Sequence, residues 1–206
     1  MSTTHHISAT KSELIRIRAE LSLSSEGLTL LERKRDSLMA EGMKLLKDAK
    51  VMRLDLTKQW KAVEKQWDKA LVTDHPDRLQ QLAGAVTPLQ PLHGKESNWM
   101  SVTLSDFQCE QPGLRLLGAV SDCSIRPEKA RSRLVKLLPK LTQLMCIETN
   151  LRRITHALKQ CQRQVNALEH LLIPELQSEK RWIEQSLEER DREAIFQTKR
   201  LKAKVS

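Results

Sequence analysis

Apolar residues recur along the first third of the chain in steps that alternate between three and four, on Leu14, Ile17, Leu21, Leu28, Leu31, Leu38, Leu45, Ala49, Met52, Leu56, Val63 and Ala70. Ser24, Arg35, Gly42, Gln59 and Gln66 occupy the remaining positions of the series. A mean step of about 3.5 residues is the period at which a helix offers one continuous seam to a second helix under left-handed supercoiling. No proline precedes Pro76, so the spacing predicts one helix over residues 11–72. At about 1.5 Å per residue it would reach roughly 90 Å, more than a compact domain of this size encloses, and it must pack lengthwise against an equally long partner.

The second arm supplies that partner. Leu144, Ile147, Leu151, Ile154, Leu158, Cys161, Val165, Leu168 and Leu172 follow the same alternation without a polar member. Pro174 removes a backbone donor and crowds the preceding turn, which predicts a kink or local break there. The pattern resumes at Leu176, Ile183, Leu187, Ala194 and Leu201, so a helix and basic tail are expected over 127–206, with Pro139 disturbing the first turns. Two arms of similar length joined through a short middle fold back most simply as an antiparallel pair.

The middle, residues 73–126, holds four of the seven prolines and four of the six glycines and continues neither helix. Within it, residues 99–104 and 114–120 read as two short strands around a turn containing Pro112 and Gly113. An isolated two-stranded hairpin is marginal in water and needs the helices or a partner to rest on. Residues 1–10 read as a flexible polar leader. The predicted fold class is therefore all-α dominated, a long antiparallel two-helix coiled coil with a small β-hairpin in the middle segment.

Composition agrees: Tyr is absent, aromatics are 3% and charged residues 30%, usage that suits long helices rather than a globular core. The net charge of +9 is concentrated in the arms, because residues 73–123 carry three basic and six acidic side chains. A basic surface favours acidic partners, among them nucleic acid, an anionic membrane and an acidic protein cavity. Cys109, Cys123, Cys146 and Cys161 form no C-x-x-C pair, and no histidine stands at metal-ligand spacing from them, so they read as free thiols. No window approaches the roughly 18 to 20 apolar residues that span a bilayer, and no apolar signal core opens the chain, which predicts a soluble cytoplasmic protein.

Catalytic signatures are missing as well. The sequence has no phosphate-binding glycine loop, no H-E-x-x-H and no credible nucleophile and base set. The seams alone would equally suit a coiled-coil scaffold, and the charge a basic nucleic-acid-binding coiled coil, although that class lacks a reading motif and aromatic stacking platforms here. Trp60 and Trp67, seven apart, share a helix face and are expected to pack against the second arm. Gly42 in the seam is expected to permit close helix approach.

More specific is the run Gln164-Val165-Asn166-Ala167-Leu168-Glu169-His170-Leu171-Leu172-Ile173-Pro174-Glu175-Leu176, followed by Ile183, Leu187, residues 188–193, Phe196 and Lys199. It resembles the C-terminal signature of the D subunits of V/A-type rotary ATPases, with the spacing from Val165, Asn166, Ala167, Leu168 and Glu169 to Ile173 and Pro174 as its most specific part. Ala9-Thr10-Lys11, Leu14 and the stretch containing Leu30-Leu31-Glu32-Arg33-Lys34-Arg35-Asp36 resemble the family's opening pattern, and Asn98-Trp99-Met100-Ser101-Val102 adds a weaker match. Gln164, Glu32 and Ser101 depart from the family's usual Arg, Lys and Gly.

The resemblance implies a non-catalytic central rotor shaft without cofactor or metal. Both termini would lie inside the hexamer of catalytic A and B subunits, and the middle would point toward the membrane, where the F subunit of the stalk and the C subunit, an adaptor to the membrane ring, join it. It implies no nucleic-acid partner, no membrane insertion, and a place on the cytoplasmic face of the membrane. The expected hexamer contacts are Lys11, Arg16 and Arg18 near the first terminus and Arg190, Arg192, Lys199, Arg200, Lys202 and Lys204 near the second, which an antiparallel hairpin brings to one end. Each alone would also suit a solvated helix face. Trp60 and Trp67 are the alternative seat for the F subunit.

Overall fold

The computed structural model describes residues 8–84, 92–109 and 125–205. Helix α1 spans Lys11–Thr73. It is capped by Thr10, whose hydroxyl accepts from the Glu13 amide at 3.2 Å. It ends where the Thr73 hydroxyl donates back to the Lys69 carbonyl at 2.7 Å, shortly before Pro76. Pro76 then opens the short helix α2, Pro76–Gly84, at the position where its missing N–H costs nothing. Every position of the predicted α1 seam is buried or half-buried. The buried residues of α1, namely Ile17, Leu38, Ala49, Leu56, Val63 and Ala70, all stand on it.

Helix α3 covers Ile125–Ala167 and runs through Pro139. A π-helical turn, Leu168–Leu172, leads directly into α4, Ile173–Val205. By its contacts the chain divides into two units, one built from residues up to Ser37 and from Leu158 onward, the other from Leu38–Ala157.

In the first unit α1 and α4 run antiparallel. Ile17, Leu176 and Ile183 form the buried core, with Leu14, Leu21, Leu172 and Leu187 packed around it. Each such fully buried aliphatic side chain contributes about 1.5–3 kcal/mol relative to exposure. Lower in the same unit, the Cys161 thiol donates to the Leu31 carbonyl at 3.3 Å.

At Pro174, where a kink or local break was expected, the chain stays helical but its regular α pattern is interrupted just ahead. The Ile173 N–H bonds to the Leu168 carbonyl, five residues back, and the wide turn takes in one extra residue. The side-chain pattern carries the same extra residue: after Leu172 a three-residue step falls on Glu175, whereas the apolar residue is Leu176. The π turn lets both Leu172 and Leu176 reach the cluster around Ile17.

In the second unit α1 and α3 run antiparallel around Leu56, Val63 and Leu137, with Met52, Leu141 and Leu144 beside them. Arg53 pairs with Glu148, and Lys140 with Asp55 at 2.9 Å. The Arg126 guanidinium donates to the Thr73 hydroxyl at 2.6 Å. Gly42 faces Ile154, but a methyl group built on it would sit 3.5 Å from that side chain, an ordinary contact. The approach of the helices there does not depend on glycine.

The hairpin exists, with strands other than those the pattern suggested. β1 is His93–Trp99 and β2 is Val102–Gln108, paired antiparallel with Trp99 opposite Val102. The predicted first strand, 99–104, straddles the tip, and residues 114–120 lie outside the described residues. Met100 and Ser101 turn the chain with φ of 49° and 66°, the left-handed pair of a two-residue hairpin turn. Glycine or asparagine normally advertises that turn, and neither is present here.

Candidate functional site

The basic residues proposed for the chain ends were expected to gather, and the first unit brings several of them together. Arg18 on α1 donates to Glu184 on α4 at 2.7 Å, and Arg190 donates to the Ala9 carbonyl at 2.7 Å. Lys11, Arg18 and Arg181 line a shallow groove opposite Glu184, Glu188 and Asp191, so this end alternates in sign instead of being uniformly basic. Arg18 holds the Glu184 carboxyl below its usual range by hydrogen bonding to it. Arg16 pairs along its own helix with Glu13, which raises the guanidinium further.

Beyond Arg190 the α4 side chains have no opposing helix among the described residues, because α1 begins at Lys11. From Glu188 to Ala203 every side chain is exposed, including Ala194 and Leu201, where the seam was expected to continue. Ile195, Phe196 and Leu201 are each more than half exposed. Arg192 reaches Glu188 at 3.6 Å, and the Arg200 guanidinium lies 5.9 Å from the centre of the Phe196 ring. Lys199 and Lys202 are exposed on the same helix, and the Lys204 side chain lies outside the described residues.

The signature run splits by helix geometry. Val165 is buried and Leu168 and Ile173 are half-buried, whereas Asn166, Ala167, Glu169 and Pro174 are exposed around the π turn. The seam residues Leu28, Leu31, Leu38, Leu45, Leu151, Ile154 and Leu158 are all buried or half-buried. Trp60 and Trp67, expected to pack against the second arm, are only partly covered. They are 42% and 45% exposed, one position off the seam, and the Trp60 indole N–H donates to Glu64 of its own helix at 2.6 Å.

Sequence reasoning missed how the hairpin is seated. Cys146, Asn150 and Arg153 stand on one face of α3 at intervals of four and three and address the free edge of β2. The Asn150 amide accepts from Ser105 N–H at 2.8 Å and donates to the Ser105 carbonyl at 2.9 Å, as a neighbouring strand would. Cys146 Sγ accepts from Phe107 N–H at 3.1 Å, and Arg153 donates to the Thr103 carbonyl at 2.8 Å and the Ser105 hydroxyl at 2.7 Å. The spacing matches because one helical turn advances about 5.4 Å and two strand residues about 6.8 Å. Phe107 meanwhile lies over Gly94, its partner in the register, where an added Cβ would come within 2.5 Å of the ring.

Among the described residues no group of His, Cys, Asp or Glu side chains could hold a metal ion, and no helix is long and apolar enough to cross a membrane. The features that stand out among the described residues are the paired chain ends with the bare end of α4, and the seated hairpin.

Comparison with known proteins supplies the family. A family profile described as the D subunit of ATP synthase matches residues 13–203. The chain is 32% identical to the V-type ATP synthase D subunit of Thermus thermophilus over 202 residues, covering 97% of this chain and 89% of that one. It is 28% identical to the V-type ATP synthase D subunit of Thermotoga neapolitana over 200 residues, 97% and 98% of the two chains. To the A-type ATP synthase D subunit of Halorubrum lacusprofundi it is 29% identical, over 96% and 88%.

Proposed function

The chain belongs to the family of ATP synthase D subunits, and on that premise we propose that it is the non-catalytic central rotor shaft of a V/A-type rotary ATPase. It transmits torque between the hexamer of A and B subunits and the membrane ring, with the F subunit and the C adaptor as its stalk partners on the cytoplasmic face. The observation that carries this reading is the α1 seam. Every seam position from Leu14 to Ala70 is buried or half-buried, with Arg35 its one charged member, and most other charged side chains of α1 remain outside. A shaft needs that division, because torsional stiffness comes from interlocked apolar side chains and rotation needs surface contacts that exchange. Exposed ion pairs, worth about 0 to 1 kcal/mol each, exchange readily.

The chain ends are the reading's hexamer contact. Lys11, Arg16 and Arg18 stand on the first turns of α1, Arg190 reaches the Ala9 carbonyl just ahead of them, and Arg192, Lys199, Arg200, Lys202 and Lys204 follow on the bare end of α4. Tagged full-length chain, recovered from membrane and soluble fractions, should bring with it subunits that hydrolyse ATP in the presence of magnesium. Deleting residues 191–206 should change that hydrolysis while the remaining subunits still co-purify. Recovery without any ATPase, under conditions that preserve such complexes, would refute the reading.

A further inference from the structure

The seam leaves the opposite face of α1 in the second unit unexplained. Lys47, Lys50, Leu54, Lys58, Lys61 and Lys65 follow one another there in steps of three or four, which at 3.6 residues per turn form a line along the helix. That line lies across the helix from buried Ala49, Leu56 and Val63. All five lysines are exposed and none forms a salt bridge among the described residues, although the charge of Lys58 helps to hold the Asp55 carboxyl down. Of the carboxylates in the stretch, Asp55 is engaged by Lys140 and Gln59, and Glu64 by Trp60. Asp48 stands off the line, and Asp68 ends it three residues beyond Lys65.

Such a line is unfavourable for the helix on its own, because like charges three or four residues apart repel. Lys47 with Lys50, Lys58 with Lys61, and Lys61 with Lys65 are all spaced that way. Some exposed faces alternate in sign, as in Glu13 with Arg16 or Glu188 with Arg192, while α3 carries shorter basic rows of its own, Lys129, Arg133 and Lys136 and then Arg152, Lys159 and Arg163. Interleaved with the lysines are Val51, 70% exposed, and Leu54, 65% exposed.

We propose that this lysine line is a docking face for an acidic protein surface, one that sets carboxylates around aliphatic side chains. The inference rests on the rotary-complex reading and names the chemistry of one partner surface within that complex. Charge complementarity asks for an anion, and the exposed aliphatics ask for one that a phosphate backbone does not provide. The line holds no aromatic residue on which a base could stack and no arginine fork for bidentate phosphate. Lysine suits a sliding contact, since its compact ammonium makes no fixed geometry with a carboxylate.

Carbodiimide coupling tests this directly, because it joins an amine to a carboxylate only where the two already touch. Complex captured on tagged full-length chain is treated and its peptides mapped. Amide links from at least two of Lys47, Lys50, Lys58, Lys61 and Lys65 to Asp or Glu of another protein in the complex are expected. The variant K47Q/K50Q/K58Q/K61Q/K65Q should keep its helical circular dichroism but retain the other subunits about tenfold less well at low salt. The corresponding five Lys→Arg changes should restore retention.

Links from other lysines but none from these five, with equal retention by the Gln variant, would overturn the proposal while leaving the rotary reading intact. Capture of no ATPase by the unaltered chain would overturn both. If the Gln variant instead lost binding to a 20-base-pair DNA duplex or to phosphatidylglycerol vesicles while ATPase retention held, the line would serve phosphate and the proposal would fail.

Discussion

Replacing Asn150 with Ala should release the hairpin from α3 without melting the helices. Ser105 is 1% exposed, and its N–H and C=O both depend on the Asn150 amide for their bonds away from β1. Truncation leaves two buried backbone groups without partners, each costing about 1–3 kcal/mol, partly relieved as water enters beside the strand. A local loss of about 2–4 kcal/mol follows, and at about 1.4 kcal/mol per decade the Ser105 amide should exchange with solvent between about 30- and 700-fold faster. Amide hydrogen exchange reads this directly, because opening of the hairpin is separable from opening of the helices. The amides of α1 around Leu56 and Val63 serve as the internal reference and should be unchanged. If Ser105 and Phe107 kept their protection in Asn150→Ala, the side chains of α3 would not be what holds the hairpin, and its seating would have to come from Val102 and the turn.

Other outcomes follow from the same geometry. Gly42→Ala should raise stability by about 1 kcal/mol in thermal or urea denaturation, since the methyl meets Ile154 at 3.5 Å and alanine favours the helix; a loss would show that the seam there is tighter than described. Ser101→Gly should raise stability by about 1 kcal/mol, because Ser101 holds φ of 66° at a cost that glycine escapes. Gly94→Ala should displace the Phe107 ring, visible as a shift of its ring resonances and faster exchange in β1. Glu184 and Asp55 have depressed carboxyl pKa values, through Arg18 and Lys140 respectively. Their contribution is therefore present at neutral pH and lost on acidification below their ordinary values of 4.5 and 3.8. Arg18→Ala should return the Glu184 titration toward its ordinary value in a carboxyl carbon NMR titration.

The helices were legible because a long seam repeats one signal many times. Single polar intruders such as Arg35 and Gln66 do not erase it, and both turn out half-buried on that seam. The hairpin was legible only as a region. Its turn uses Met100 and Ser101, which carry no turn chemistry, so the strands were drawn across the tip. That the hairpin needs a support was legible, but the residues that supply it were not, because Cys146, Asn150 and Arg153 look like any polar helix residues until β2 is laid beside them. Their spacing of four and three was visible, but the strand edge they complement lies 39 to 50 residues away in sequence. The tryptophans stand one position off the seam, where an indole is covered on one side and exposed on the other. The end of α4 misled because a heptad continues in sequence whether or not a partner helix reaches it.

The π turn at Leu168–Leu172 also divides the second arm into two reading frames. Ahead of Leu168 the heptad can be counted in step with Val165; after Ile173 the same count must begin one residue later to land on Leu176 and Ile183. A chimera spliced upstream of the turn can be aligned by heptad alone, and so can one spliced downstream. A splice that carries the frame of one side across to the other would point a row of charged residues into the seam. Any relative that lacks the extra residue here must make up the phase elsewhere in its arm.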